Sequence, residues 1–287
     1  MDAGAEQARR VEEEAASWCI PDLISLPVAS PEDLPVLDLA PLRQGRPGAM
    51  GHLATKLRKV FATTGFFLLA NHGCEEEAAA TLAASRRFHT QLSQEAKDKL
   101  VFGPRGVGYL QLNMRVLPRR EKGNLNEAFI IKQEHGPRNI TLESNPFPPE
   151  EALPGFRDQV LHYAARMEAL ALSLLPVFAS ALDLPHDYFS PAFTSPLFRL
   201  RLSCYPPSSP TTDQFGIAPH TDTSFFTLLA QDGHEGLVVR RPCGRWTRIP
   251  ADPSVLVVNT GELLRQWSND TVPSTPHFVV NMADQPR

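Results

Sequence analysis

The feature that most constrains the fold is the residue pattern after Pro196, where short apolar runs alternate with turn residues. Runs of this length, separated by Gly, Pro, Asn and Asp, are typical of strands in antiparallel sheets. A series of them predicts an all-β sandwich or jelly roll. The predicted strands are Leu200–Tyr205, Phe225–Ala230, Gly236–Arg240, Trp246–Ile249, Ser254–Val258 and His277–Asn281.

The preceding part of the chain carries helical as well as strand patterns. Apolar residues at helical spacing predict a helix from about 48 to 63, and the charged, alanine-rich stretch Glu75–Gln91 predicts another. Phe66–Ala70 is a compact apolar run and predicts a buried strand. A long amphipathic stretch, about 156–182, predicts a helix with a kink or a break at Pro176. The expected class is therefore mainly β with helices (α+β).

These patterns divide the chain into four regions. Residues 1–34 are predicted to form a helical segment and connector, and residues 35–155 a mixed N-terminal region. Residues 156–195 read as a long helix that supports the core, followed by a linker. The predicted jelly roll occupies 196–287.

Composition excludes several functional classes. A net charge of −4 and a pI near 6.1 do not favour a nucleic-acid-binding surface. We expect no membrane-spanning segment, and the charged N-terminus does not resemble a secretion signal. The four cysteines are scattered without C-x-x-C pairing, which predicts reduced thiols in a cytoplasmic protein. Cys204 lies in a strand pattern and is expected to be a small core residue.

Two histidines and an aspartate are the candidates for chemistry. His220 and Asp222 are two residues apart, and side chains at such positions of an extended strand project from the same side. His277 follows far downstream. Two imidazoles and one carboxylate on one face of a metal are typical of Fe(II) sites that activate O₂, because the opposite face stays open. An H-x-D pattern alone is weak, so the flanking residues decide its meaning.

Those flanking residues resemble the iron- and 2-oxoglutarate-dependent dioxygenases, in the branch that includes isopenicillin N synthase. The resemblance extends from about residue 35 to 287, in the family's order and spacing. The segments that carry it are Pro35–Leu39, Thr64–Phe67 with Asn71–Gly73, Arg201–Pro206, Gly216–Thr223, Leu256–Leu264 and Ser274–Val280.

The resemblance implies a double-stranded β-helix, with Fe(II) on His220, Asp222 and His277. It also implies 2-oxoglutarate as co-substrate, with Tyr205 contacting it and Arg287 binding its distal carboxylate. A guanidinium suits that task because its planar fork pairs with a carboxylate through two hydrogen bonds. The implied reaction hydroxylates, desaturates or cyclises a small metabolite with O₂ and yields succinate and CO₂.

The resemblance leaves alternatives open. In the family the arginine is followed by a serine and by the rest of a strand, whereas this sequence ends at Arg287. That difference suggests a truncated final strand and, as one alternative, a non-catalytic relative that binds metal or a partner. An iron oxidase that uses the same ligands without 2-oxoglutarate is a second alternative. A zinc hydrolase is the weakest.

The remaining histidines carry no metal-ligand pattern and are expected to have surface or capping roles; they are His52, His72, His89, His135, His162, His186 and His234. Phe225, Trp267, Arg201 and Phe129 can line a substrate pocket, but core packing explains each at least as well. The substrate itself lies beyond the sequence, because a fold does not determine a function. A monomer is expected.

Overall fold

The computed structural model describes residues 25–104, 106–114, 122–133, 145–207, 214–281 and 286–287. The strands are β1 (Val36–Asp38), β2 (Phe66–Ala70), β3 (Gly108–Leu110), β4 (Glu127–Lys132), β5 (Arg199–Cys204), β6 (Ile217–His220), β7 (Phe226–Ala230), β8 (Leu237–Arg240), β9 (Trp246–Arg248), β10 (Leu256–Thr260) and β11 (His277–Val279). The helices are α1 (Ala40–Arg43), α2 (Ala49–Phe61), α3 (Glu75–Gln91), α4 (Gln94–Asp98), α5 (Phe156–Ala181) and α6 (Glu262–Trp267), and a short 3₁₀ helix spans Ser190–Phe193.

Two four-stranded sheets form the centre of the molecule. Their strand orders are β1-β2-β10-β7 and β6-β11-β8-β9, and only the β1–β2 pair is parallel. Apolar side chains from both sheets meet in one core cluster, in which Phe66 and Val257 of the first sheet pack with Leu237 and Val239 of the second. Because the two sheets bury these faces against each other, the predicted jelly roll is confirmed.

Helices cover the outer face of the first sheet. Buried side chains of α2 and α5 share a core cluster with β2 and β10, as expected for amphipathic helices on a sheet.

Helix α5 is a single helix that continues through Pro176, so the predicted break is not observed. By length and composition alone α5 is able to cross a membrane, and the expectation that no segment has this property was therefore too strong. Its apolar side nevertheless packs against α2 and α3.

A third, three-stranded sheet has the order β3-β4-β5. One face packs against α3 and α5 through Phe88, Phe129, Phe156 and Leu202. Glu127 at the start of β4 pairs with Cys204 at the end of β5. This edge of the small sheet lies next to Tyr205, so its position bears on the functional site described below.

Strand ends differ slightly from the sequence prediction. Strand β11 ends at Val279, two residues before the predicted end, and its pairing with β6 is irregular between His277 and Val279. Beyond it, the buried side-chain amide of Asn281 donates hydrogen bonds to the carbonyl oxygens of Tyr205 and Pro206. The end of β11 is thereby tied to the segment that follows β5.

Candidate metal centre

The three predicted ligands lie together at one end of the second sheet. His220 is the last residue of β6, and His277, the first residue of β11, is its partner in the register. The Nε2 atoms of His220 and His277 lie 3.6 and 3.7 Å from Asp222 Oδ1. Asp222 lies two residues beyond the end of β6 rather than within the strand, yet its carboxylate still faces both rings.

Each imidazole is oriented by a backbone carbonyl two residues earlier in the chain. His220 Nδ1 lies 2.9 Å from the oxygen of Ala218, and His277 Nδ1 lies 3.0 Å from the oxygen of Thr275. A carbonyl oxygen only accepts, so each Nδ1 carries the proton and each Nε2 keeps its lone pair. This tautomer leaves Nε2 of both rings able to bind a metal ion.

Asp222 is held by the opposite sheet. Its Oδ2 accepts a hydrogen bond of 2.6 Å from Thr227 Oγ1 of β7 and one of 2.8 Å from Asn259 Nδ2 of β10. Oδ1 is therefore the oxygen that faces the two imidazoles. The sequence reasoning missed the roles of Thr227 and Asn259; the only available signal was that Asn259 lies within the segment Leu256–Leu264.

The electrostatics favour an ionised Asp222 carboxylate beside a neutral His277 ring. Burial opposes ionisation of Asp222, but His277, His220 and the Asn259 hydrogen bond outweigh it and hold the pKa of the carboxyl below its ordinary value. Burial, with the neighbouring His220 ring, lowers the pKa of His277 to about 4. Two imidazole nitrogens and one carboxylate oxygen, all within 4.8 Å of one another, form a donor set that fits Fe(II).

Tyr205 and Arg287 lie side by side, as the resemblance implied. Their backbones exchange two hydrogen bonds, of 2.6 and 3.0 Å, and the Arg287 guanidinium lies 5.0 Å from the centre of the Tyr205 ring. The guanidinium donates to the carbonyl oxygens of His234 and Val280, at 2.7 and 2.8 Å. Its buried Nε has no hydrogen-bond partner, so one donor of this guanidinium stays available for a ligand.

Two glycines make room for this pair. A Cβ at Gly236 would collide with the Arg287 guanidinium, and a Cβ at Gly216 would lie 2.7 Å from the Tyr205 ring. Larger residues at these two positions would displace the side chains expected to bind the co-substrate.

The four residues considered for a substrate pocket have structural partners. Phe129 is fully buried against Phe88 and Phe156. Arg201 donates hydrogen bonds to Asn126 and Ser203. Phe225 and Trp267 belong to an aromatic cluster with Phe178, Phe189 and Phe193. These contacts favour packing for Phe129 and Phe225, while Trp267 remains 46% exposed.

Among the other histidines, two are buried for different reasons. His72 Nδ1 accepts a hydrogen bond from the backbone amide of Cys74 at the start of α3, in agreement with a capping role. His89 is only 6% exposed and faces Glu127. The expectation of a surface or capping role was therefore wrong for His89. His135 lies outside the described residues.

Two family profiles match this sequence. The profile described as the 2OG-Fe(II) oxygenase superfamily matches residues 195–287. The profile described as the N-terminal part of non-haem dioxygenases in morphine synthesis matches residues 34–150.

Similar proteins carry related descriptions. A 2-oxoglutarate-Fe(II) type oxidoreductase of Metarhizium majus is 29% identical, over 90% of this chain and 76% of that protein. A proline hydroxylase of Petromyces alliaceus is 31% identical, over 85% of this chain and 79% of that protein. A solved structure of a full-length Neurospora crassa protein in complex with alpha-KG (2-oxoglutarate) and thymine has a TM-score of 0.77 and 26% identity, over 88% of this chain and 83% of that one. The chain therefore belongs to the 2OG-Fe(II) oxygenase superfamily and is an iron- and 2-oxoglutarate-dependent dioxygenase.

Proposed function

We propose that His220, Asp222 and His277 bind the iron, that Tyr205 and Arg287 bind 2-oxoglutarate, and that the enzyme oxidises a small metabolite beside them. The observation that carries this proposal is the orientation of the three ligand side chains. Both Nε2 atoms and Asp222 Oδ1 converge, while carbonyls, Thr227 and Asn259 occupy the opposite ends of the same groups.

The metal and co-substrate, when bound, supply the oxidation of a C–H bond by O₂ at the expense of 2-oxoglutarate, which leaves as succinate and CO₂. The two histidines and Asp222 contribute one negative charge to Fe(II), so about one net positive charge remains. An anionic 2-oxo acid is attracted by that charge. The contribution of the chain is thus orientation and charge balance.

Arg287 binds the distal carboxylate of 2-oxoglutarate in this proposal. Its guanidinium is fixed by two carbonyl oxygens and by the Tyr205 ring. Burial is the main influence on this group and lowers the pKa of Arg287 from its ordinary value, but a guanidinium remains protonated at neutral pH. A cation that is half-buried and pre-oriented binds a carboxylate more strongly than an exposed one does.

The similar proteins suggest which substrates to test first. The similar proteins are described by unlike small molecules, proline in one case and thymine in another. Both are reasonable first substrates to test. We further propose that the enzyme is a monomer. We also propose a cytoplasmic location, which the scattered free cysteines Cys74, Cys204 and Cys243 support.

The test combines ligand binding with turnover. Purified protein is supplied anaerobically with Fe(II) and 2-oxoglutarate, and we expect a visible metal-to-ligand charge-transfer band. Admission of O₂ with a panel that includes free proline and thymine is then followed by succinate release. Iron binding without 2-oxoglutarate binding would contradict the role of Arg287 and favour the non-catalytic alternative. O₂ consumption that requires a substrate but no 2-oxo acid would favour an oxidase.

A further inference from the structure

A second group of ligand-type side chains lies behind the small sheet. Within the described part of the chain, His89, Glu127 and Cys204 are the other group whose donor atoms all lie within 4.8 Å of one another. They come from three elements, since His89 is in the last turn of α3, Glu127 begins β4 and Cys204 ends β5. The three residues line a cavity with Gln94 and Gln111, and His220, Asp222 and His277 are not among its lining residues. This group is thus separate from the proposed iron site.

His89 offers a buried lone pair. Its Nε2 lies 3.2 Å from the carbonyl oxygen of Leu202, so Nε2 carries the proton in the neutral ring. Nδ1 is buried and has no hydrogen-bond partner, although it lies 3.3 Å from Glu127 Oε1. An imidazole lone pair and a carboxylate oxygen repel each other at this distance unless a proton on Nδ1, which makes an ion pair, or a metal ion lies between them.

Glu127 is oriented with one oxygen held by two donors and the other facing His89. Lys97 Nζ, at 3.0 Å, and the Tyr109 hydroxyl both donate to Oε2. Oε1 is the oxygen that faces His89. The arrangement repeats that of Asp222, in which two donors hold one carboxylate oxygen and the other faces imidazole nitrogens.

The separation of the His89 and Glu127 donor atoms fits tetrahedral coordination, and Cys204 Sγ lies within 4.8 Å of both. Zinc binds imidazole nitrogen and carboxylate oxygen at roughly 2.0–2.1 Å, which places two such ligands about 3.3 Å apart at tetrahedral angles. The separation of His89 Nδ1 and Glu127 Oε1 is 3.3 Å. We propose that His89, Glu127 and Cys204 bind a divalent transition-metal ion of the zinc class.

The charges and the surroundings are compatible with such an ion. A thiolate and a carboxylate bring two negative charges to a divalent cation. Lys97 Nζ donates to the Glu127 oxygen that faces away from His89 Nδ1 and to the backbone carbonyl oxygen of His89. The group lines a cavity of about 470 Å³, together with Gln94 and Gln111. A fourth coordination position open to this cavity accepts water or a small ligand. This site does not depend on the proposed role of the iron ligands.

Cobalt(II) separates the two sites, because only the second contains sulfur. A thiolate bound to Co(II) gives a charge-transfer band in the near ultraviolet, whereas two imidazoles and a carboxylate do not. We expect metal-free full-length protein to develop this band on titration with CoCl₂ and to lose it when ZnCl₂ displaces the cobalt. The band persists in His277→Ala and in the matched control Cys243→Ser, which removes an exposed thiol.

The band disappears in Cys204→Ser and in His89→Gln. The proposal is overturned if the wild-type protein gives no band, or if the band depends on Cys243 and not on Cys204.

Alkylation of the wild-type protein gives a readout that needs no folded variant. Zinc should slow the modification of Cys204 at least tenfold, as mapped by mass spectrometry, and leave that of Cys243 unchanged. Equal rates for Cys204 with and without zinc would also overturn the proposal.

Discussion

The two groups of ligand-type side chains, one between the large sheets and one behind the small sheet, use the same local arrangement. In each, a histidine donates to a backbone carbonyl, and a carboxylate has one oxygen held by two donors. In each group, neighbouring charges and hydrogen bonds lower the pKa of the carboxylate more than burial raises it. The pKa of Asp222 lies below its ordinary value, and that of Glu127 is lowered to about 2 by His89, Tyr109 and Lys97 despite burial.

They differ in what balances the charge of the carboxylate. Around Asp222 the nearest ionisable partners are the two imidazoles, so a metal ion is the natural counter-charge. Glu127 already has buried Lys97 at 3.0 Å. The first group therefore depends on a metal for charge balance, whereas the second combines a structural ion pair with unused donor atoms.

The largest effect is expected for His277→Ala. Loss of one of three ligands should reduce substrate-dependent succinate release by about three orders of magnitude, the equivalent of roughly 4 kcal/mol in activation free energy. Succinate is measured by mass spectrometry at saturating Fe(II). The matched control is His52→Ala, an exposed histidine whose removal should leave activity unchanged. Substantial turnover by His277→Ala would show that the reaction does not use this ligand.

Arg287→Ala should weaken 2-oxoglutarate binding by about 30- to 5000-fold, because losing one partner of a buried charge pair costs roughly 2–5 kcal/mol of affinity. Anaerobic calorimetric titration of the iron-loaded protein measures the Kd. Arg287→Lys should recover part of the loss, since a lysine keeps the charge but not the planar fork. A Kd within threefold of the wild-type value would remove Arg287 from the co-substrate site.

Glu127→Gln should lower the free energy of unfolding by about 3 kcal/mol at neutral pH with chelator present, because it leaves the buried Lys97 charge unpaired. Urea denaturation followed by circular dichroism measures it. Glu95→Gln, which removes an exposed partner of Lys99, is the control and should have almost no effect. Asp222→Asn should cost less than Glu127→Gln. The reverse order would contradict the proposed difference between the two carboxylates.

The smallest effect is expected for Asn259→Ala. Removing the amide that holds Asp222 Oδ2 should weaken metal affinity by about 10- to 100-fold, as is usual for groups that orient a ligand. Competition with a fluorescent chelator measures the affinity. Thr227→Ser retains the other donor to the same oxygen and should change the affinity much less. Equal affinity of Asn259→Ala and wild type would mean that Thr227 alone orients Asp222.

Much of the fold and the three ligands could be predicted because their signals are local. Phe66–Ala70 and Glu75–Gln91 are found with the predicted bounds, and His220 and Asp222 are only two residues apart within a longer motif. Continuation of α5 through Pro176 could not be predicted, since it depends on the contacts of that helix with α2 and α3. The orienting roles of Thr227 and Asn259 arise from a different sheet, and periodicity carries no information on such contacts.

The group of His89, Glu127 and Cys204 was not predicted, because it also depends on contacts between distant elements. Its three members lie on a helix and two strands far apart in the sequence, and each belongs to an ordinary local pattern. Only the pairing of β4 with β5 and the packing of α3 against β5 bring them together. A histidine without a nearby partner in the sequence therefore carries little information until the fold is known.

The alternation of Cys204 and Tyr205 along one strand end limits how this part of the gene can change. A single-codon insertion or deletion within β5 would shift Cys204 and Tyr205 by one position, so Tyr205 would turn away from Arg287. Changes in length should therefore be tolerated before β5, where a loop can absorb them, and be strongly selected against inside it.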